Sequence, residues 1–199
     1  MHRYHNHLSD SCLIREIGEG NEKAYEDLYF QYYYRLCSYA VNIIRCSESA
    51  RDIVQEVFIN VWINRTSLVI NHSLSAYLYQ AVRNHALNLI KQQGARQKLS
   101  SRLEQEYDHQ AITGQGEVDY SETNMSGLIN QIWKLVEKMP EQRNMVFMLH
   151  RKHGLSYTEI SEVMGIARKT VENHMGKALQ ELREKLDINL KPIPEDTLP

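Results

Sequence analysis

Apolar residues recur at intervals of three and four along most of the chain, and this helical periodicity restricts the fold more than any other feature. Alternating runs typical of strands are few, and three of the four prolines lie in the C-terminal tail "KPIPEDTLP". We therefore predict an all-α protein. The one long break in the periodicity is "EQEYDHQAITGQGEVDYSETNMSG", an acidic segment with glycines, which predicts a flexible linker.

This break divides the sequence into two small helical domains joined by the acidic linker. We place the first domain at residues 22–102, the linker at 103–127 and the second domain at 128–187. Residues 1–21 are then an N-terminal extension, and residues 188–199 a C-terminal tail.

The net charge of −2 conceals a strong sorting of charge along the chain. No Asp or Glu occurs from Val57 to Leu103, where the charged residues are Arg65, Arg83, Lys91, Arg96, Lys98 and Arg102. The linker reverses this pattern and contains no Lys or Arg from residue 104 to 127. A long cationic stretch without acids favours contact with nucleic acid phosphates.

Several functional classes are disfavoured by what the sequence lacks. No run of 18 apolar residues occurs, so we expect no membrane insertion. The N-terminus lacks the apolar core of a signal peptide and the three cysteines lack CxxC spacing, so we expect a cytoplasmic protein. We interpret His2, His5 and His7 as solvated residues. No catalytic triad, P-loop or metal cluster is found, and we expect neither an enzyme nor a cofactor.

The segment Asp52–Ile63 separates into two different faces when it is projected onto a helix. The face predicted to join the core comprises Val54, Val57, Phe58 and Val61. The opposite face comprises Asp52, Gln55, Glu56, Ile59 and Ile63. Isoleucines among acids are unusual on a solvated face, so the pattern favours a partner-binding surface. The alternative is a solvated face with two stray isoleucines.

The next predicted helix, Leu74–Gln92, carries a different kind of surface. Its predicted core side comprises Leu74, Leu78, Val82, His85 and Leu89, with His85 interpreted as a core histidine. The other side comprises Tyr77, Gln80, Arg83, Asn84, Asn88 and Lys91. Cations contact phosphates, amides pair with base edges and tyrosine stacks on unpaired bases, so this side suits a nucleic acid. An amide-rich solvated face is equally compatible. Ser73 or Ser75 is predicted to cap the helix.

The stretch "GLSYTEISEVMGIARKTVENHM" predicts a helix-turn-helix. Two helices sharing one core explain the spacing of Ile160, Val163, Met164, Ile166, Val171, Met175 and Leu179. Ser161 is small where the helices would cross, and Gly165 suits the turn between them. An ordinary helical hairpin is the alternative.

The second helix of this motif is predicted to begin near Ala167. Its exposed side comprises Arg168, Lys169, Thr170, Glu172, Asn173, His174 and Lys177. In such motifs the early residues lie nearest the floor of the major groove. Arginine pairs with guanine, asparagine pairs with adenine, and lysine contacts phosphate.

Two long segments carry a family resemblance. "LVEKMPEQRNMVFMLHRKHGLSYTEISEVMGIARKTVENHMGKALQELREKL" resembles region 4 of bacterial sigma factors. "AYEDLYFQYYYRLCSYAVNIIRCSESARDIVQEVFINVWINR", followed by "SLSAYLYQAVRNHALNLIKQQ", resembles region 2. In this order they are similar to an extracytoplasmic-function (ECF) sigma factor of the sigma-70 family. The resemblance covers all but the N-terminus, the linker and the tail.

The resemblance implies a subunit that binds core RNA polymerase, directs it to promoters and helps melt DNA. In the family, the helix matching Asp52–Ile63 docks on the clamp helices of the beta-prime subunit. The segment matching Val69–Lys91 captures the minus-ten element, and the loop around Asn71 and His72 receives a flipped base. The region matching Arg168–Lys177 reads the minus-thirty-five element in duplex DNA.

The resemblance implies further partners and two departures. Partners in the family include the beta flap and a membrane-bound anti-sigma factor, and the acidic linker runs near the RNA exit path. The family often has Ser or Thr where Ala167 stands, and loss of that cap costs ~1 kcal/mol. The melting segment has few aromatics, chiefly Tyr77 and Tyr79, so we expect weak autonomous melting.

Two other functions fit parts of the sequence. A LuxR-type regulator shares the helix-turn-helix, but its receiver domain requires alternating strands and helices that the first block lacks. A protein-interaction module, such as an anti-sigma antagonist, would not require the acid-free stretch.

Overall fold

A computed structural model describes residues 10–68, 70, 73–103 and 124–186, with the side chains of 95–103 and 124–126 left out. All regular structure in these ranges is helical, which confirms the all-α prediction. The chain divides into two compact units, residues 1–115 and 116–199. Among the described residues, no helix is both long enough and apolar enough to cross a membrane.

The first unit contains four helices and a short 3-10 turn. They are α1 (Asp10–Gly18), α2 (Glu22–Ile44), α3 (Ser47–Ile63), the turn Arg65–Ser67, and α4 (Leu74–Leu103). Helix α2 packs against α1, α3 and α4, and α3 also packs against α4. The predicted core face of α3 is confirmed, because Val54, Val57, Phe58 and Val61 are all buried.

Helix α1 extends the first unit beyond the predicted boundary at Glu22. Leu13 and Ile17 are buried, and the helix packs against α2 and the 3-10 turn. Two apolar residues one turn apart in a polar segment are too short a pattern to predict a docked helix. The turn after α1 uses Asn21, whose side-chain oxygen accepts from the amides of Lys23 and Ala24 and caps α2.

The second unit contains four helices in its described part. They are α5 (Asn124–Glu137), α6 (Glu141–Arg151), α7 (Tyr157–Met164) and α8 (Arg168–Leu186). Helix α8 packs against the other three. The predicted core is confirmed for Ile160, Val163, Met164, Val171 and Met175, which are buried, while Ile166 and Leu179 are half-buried.

The predicted helix-turn-helix consists of α7 and α8. Gly165 ends α7 with φ of 65°, a left-handed conformation that glycine adopts without steric cost. At the other end of α7, Ser156 and Glu159 form a capping box, with each side chain accepting from the backbone amide of the other. Both ends of α7 are therefore set by local sequence.

Candidate functional site

The outer face of α3 combines acids, an amide and isoleucines in the open. All five predicted residues of this face are exposed: Asp52, Gln55, Glu56, Ile59 and Ile63. Ile59 is 54% exposed and Ile63 is 65% exposed, although large aliphatic side chains are usually buried. The pair stands one helical turn apart, so α3 presents a continuous apolar strip between its acids.

An aromatic cluster sets the orientation of this face. The ring centroid of Tyr25 lies 4.9 Å from that of Trp62, and the ring of Tyr29 lies 4.9 Å from that of Phe58. The Tyr25 hydroxyl donates to the Phe58 carbonyl at 2.9 Å. Burial raises the pKa of Tyr25, so its hydroxyl keeps its proton as a donor. Helix α3 is thus held against α2 along one side, and its outer face is fixed.

The predicted nucleic-acid side of α4 is open over most of its length. Gln80, Asn84, Asn88 and Lys91 are exposed, and Tyr77 is half-buried. Asn71 and His72 lie outside the described residues.

Arg83 is turned partly towards the core of the first unit. Its side chain is half-buried, whereas the projection placed it on the open side of α4. Burial raises the pKa of Tyr39, and the nearby Arg83 charge opposes this rise. The guanidinium therefore lies at the edge of the α4 surface.

Two interpretations of α4 are corrected by the structure. His85 is not a core residue: its side chain is 32% exposed, and its Nδ1 lies 3.3 Å from Oε2 of Glu56. Ala86, which is fully buried, takes the core position beside it. Tyr79 is fully buried against Tyr39, with 5.1 Å between ring centroids, so it cannot stack on a base. Burial raises the pKa of Tyr79 to about 12.

The start of α4 is capped from two directions. The Ser73 hydroxyl oxygen accepts from the Ala76 amide at 3.1 Å, which confirms Ser73 as the cap. The amide of Leu74 donates to Oδ2 of Asp10 at 3.1 Å, across 64 residues of sequence. The second contact joins α1 to α4 and has no signal in the local sequence.

The outer face of α8 mixes both signs of charge. Arg168, Lys169, Asn173 and Lys177 are exposed, whereas Thr170, Glu172 and His174 are half-buried. Glu172 is paired twice: its Oε1 lies 3.3 Å from Nε of Arg168, and its Oε2 lies 3.2 Å from Nζ of Lys169. The carboxylate therefore holds two cations at the start of the helix.

Ala167 directly precedes α8, and its side chain has no oxygen to cap the first amides. Its carbonyl accepts from the Thr170 amide at 2.8 Å and begins the helix. Below this point, Glu181 links α8 to α6: its carboxylate accepts from Arg143 at 2.7 Å and from Lys185 at 2.6 Å. The capping box and this link were not predicted, although the S-x-x-E spacing is a readable signal for the first.

Within the described ranges, no group of three or more His, Cys, Asp or Glu residues is arranged to hold a metal ion. His2, His5 and His7 lie outside those ranges.

Two helical units, one with an open amide-rich helix and the other with a helix-turn-helix, define a two-domain helical protein of the helix-turn-helix class. Residues 28–96 match the family described as Sigma-70 region 2, and residues 129–182 match Sigma-70, region 4. The chain belongs to the extracytoplasmic-function group of the sigma-70 family and is an RNA polymerase sigma factor.

Similar proteins span nearly the whole chain. The ECF RNA polymerase sigma-E factor of Escherichia coli (strain K12) is 28% identical over 189 residues, 94% of this chain and 96% of that protein. The ECF RNA polymerase sigma factor SigW of Bacillus subtilis (strain 168) is 24% identical over 176 residues, 87% and 94% of the two chains. The solved structure of the sigma factor RpoE in complex with the anti-sigma factor NepR, from Bartonella quintana, shares the fold. Its TM-score is 0.62, at 17% identity, covering 84% of this chain and 99% of that one.

Proposed function

We propose that three exposed helix faces divide the work of this sigma factor. The outer face of α3 docks on the beta-prime clamp helices of core RNA polymerase. The outer face of α4, with Asn71 and His72 before it, captures the minus-ten element as single-stranded DNA. The outer face of α8 reads the minus-thirty-five element in duplex DNA.

The docking role of α3 is supported by the exposure of its isoleucines. Burying both Ile59 and Ile63 against a partner contributes roughly 1.5–3 kcal/mol for each fully buried side chain. Asp52 and Glu56 flank them, and such charges steer a cationic partner more than they add affinity. Phe58 and Trp62 anchor the same helix to α2, so little ordering is left for the moment of binding.

The role of α4 is supported by a surface of amides and a cation without acids. Gln80, Asn84 and Asn88 present donors and acceptors to base edges, and Lys91 contacts phosphate. Because Tyr79 is buried, Tyr77 is the tyrosine of this helix that remains available for stacking. This agrees with a factor that depends on polymerase for melting.

The role of α8 is supported by the energies of its ion pairs. Surface pairs spaced three or four residues apart contribute ~0.3–0.5 kcal/mol, whereas a bidentate contact to a base contributes ~1–3 kcal/mol of discrimination. Arg168 therefore gains by leaving Glu172 for guanine. Until then, Glu172 keeps the Arg168 side chain near the helix start.

The remaining assignments complete the proposal. The protein acts in the cytoplasm, has no catalytic site of its own, and contacts the beta flap through its second domain. The domains are 22–102 and 128–187, joined by the linker 103–127. RpoE of Bartonella quintana is solved with an anti-sigma factor, and we propose that a protein of that kind also holds this chain inactive.

The open apolar strip of α3 beside acids is the observation that carries the proposal. The test is gel filtration of the full chain with core RNA polymerase, followed by transcription from promoters located by transcript-start sequencing after overexpression. We expect co-elution and transcription that requires the chain. A chain that binds promoter DNA alone and never co-elutes with polymerase would instead be a LuxR-type regulator.

A further inference from the structure

Helix α1 contacts both ends of the connection between α3 and α4. At its first residue, Oδ2 of Asp10 accepts from the Leu74 amide at 3.1 Å, where α4 begins. At its last residue, Gly18 lies so close to the 3-10 turn that an added Cβ would stand 3.3 Å from the Arg65 carbonyl oxygen. One helix therefore touches the connection where it leaves α3 and where it enters α4.

Both contact points belong to well-anchored parts of the unit. Leu13 and Ile17 are 5% and 1% exposed, so α1 is docked by its own apolar side. Arg65 donates through Nη1 to the Trp62 carbonyl at 2.8 Å, and its guanidinium carbon lies 4.5 Å from the centre of the Trp62 ring. The distance across the connection is consequently set by packing and not by the connection itself.

The Asp10 contact supplies α4 with something its own sequence lacks. The first turn of α4 contains no acid, and Ser73 already serves the Ala76 amide. The first amides of a helix have no partner within it and carry the positive end of the helix dipole. A carboxylate accepting there makes a charge-assisted bond, which is shorter and stronger than a neutral one.

We propose that α1 is a brace for minus-ten recognition and that Asp10 is a positioning residue for it. By holding the start of α4, Asp10 fixes the point from which Asn71 and His72 precede the helix and from which Asn84 follows. The inference rests on the proposed function of α4. It adds a determinant that lies upstream of residues 28–96, the part that matches region 2.

The experiment compares holoenzymes that contain Asp10→Ala, Asp10→Asn or the control Glu22→Ala, an exposed acid in the first turn of α2. We expect Asp10→Ala to assemble with core polymerase normally and to bind the upstream element normally. It should reduce permanganate reactivity around the start site about tenfold, the size expected for a lost bond to a charged group. It should also relax base preference in the minus-ten element. Asp10→Asn, which keeps an acceptor oxygen, should lie between, and Glu22→Ala should match the wild type.

A second variant separates bracing from simple helix capping. Adding Ser73→Asp to Asp10→Ala returns a carboxylate to the start of α4 from within the connection. We expect this variant to regain thermal stability but not minus-ten preference, because α1 is still detached. Full recovery of the preference would overturn the brace, as would wild-type melting by Asp10→Ala.

Variants of α4 itself keep this result distinct from the proposed function. If Asn84→Ala alters minus-ten preference and Asp10→Ala does not, α4 binds the element and the brace is wrong. If neither variant alters the preference, the assignment of α4 fails as well.

Discussion

The two proposed DNA-binding helices, α4 and α8, receive their acidic partners in opposite ways. Helix α4 lies in a stretch without acids, and carboxylates reach it from other helices: Asp10 of α1 at its start and Glu56 of α3 at His85. Helix α8 carries its own acid near the start, and Glu172 pairs with cations three and four residues away.

This difference separates a helix placed by tertiary contacts from one that is locally complete. The position of α4 depends on α1 and α3, and its outer face stays free of acids for DNA. The ion pairs of α8 follow from sequence spacing alone. We therefore expect changes in other helices to affect minus-ten capture, and changes within α8 to affect the upstream element only.

The largest expected effect concerns polymerase docking, which we assign to the first unit alone. Asp52→Arg with Glu56→Arg should abolish co-elution with core polymerase, because both acids stand beside the apolar strip of α3. Both side chains are exposed, so the fold should survive, as circular dichroism would show. The matched control is Glu22→Arg with Glu26→Arg, two exposed acids on α2. Normal co-elution of the α3 variant would end the docking assignment.

The next prediction tests whether duplex reading belongs to α8. Arg168→Ala or Asn173→Ala should weaken closed-complex binding and relax preference in the upstream element. A lost base contact corresponds to ~1–3 kcal/mol of discrimination. Melting should be nearly unchanged once the complex has formed. Arg183→Ala, an exposed cation in the last turn of α8, is the control.

Its counterpart tests the first unit. Asn71→Ala, His72→Ala or Asn84→Ala should leave initial duplex binding nearly intact and lower the permanganate reactivity of thymines around the start site. These variants should also shift preference in the downstream element. The same defect in both sets of variants would break the division between α4 and α8.

A smaller effect is expected for the cation at the far end of the α4 face. Lys91→Ala should lower the slope of log affinity against log salt by ~0.9 on duplex DNA, the loss of one phosphate contact. Binding of promoter DNA by the holoenzyme at several salt concentrations gives this slope. Lys23→Ala, an exposed cation on α2, should leave it unchanged. A wild-type slope for the Lys91 variant would make Lys91 a bystander.

The smallest effect concerns the stability of the second unit. The Lys185 ammonium, together with Arg143, holds the pKa of the Glu181 carboxyl below its usual value. A lowered folded-state pKa means that the stabilisation is present above the unfolded pKa and is lost as pH falls through the folded one. Glu181→Gln should therefore cost ~1 kcal/mol near neutral pH. The difference from wild type should vanish in strong acid.

Thermal unfolding of the full chain across pH measures this effect. Glu184→Gln, whose carboxylate accepts only from Gln180 among the described contacts, is the control. An equal loss at every pH would mean that packing, and not charge, links Glu181 to α6.

Much of the architecture could be predicted because periodic patterns are local. Val54, Val57 and Val61 share a face through helix geometry alone, and the structure buries all three. Gly165 adopts the left-handed conformation that its turn requires. The binding roles of the exposed residues remain predictions, since exposure alone does not name a partner.

The errors on α4 share one physical cause. A helical projection gives the angle of each side chain but not the position of the neighbouring helices. His85 falls near the core side in projection, yet α3 places Glu56 where His85 reaches the surface. Tyr79 falls between the two sides, yet α2 places Tyr39 against it and encloses it.

The sequence by itself determined the helical class, the two-domain plan, the helix-turn-helix and the acid-free stretch, because each depends on spacing or composition within a short window. Only the tertiary structure decided that α1 docks, that Asp10 caps α4 and that Glu56 meets His85. These contacts join residues 64 and 29 positions apart. Such contacts form only when hydrophobic burial has brought distant helices together, so no local pattern announces them.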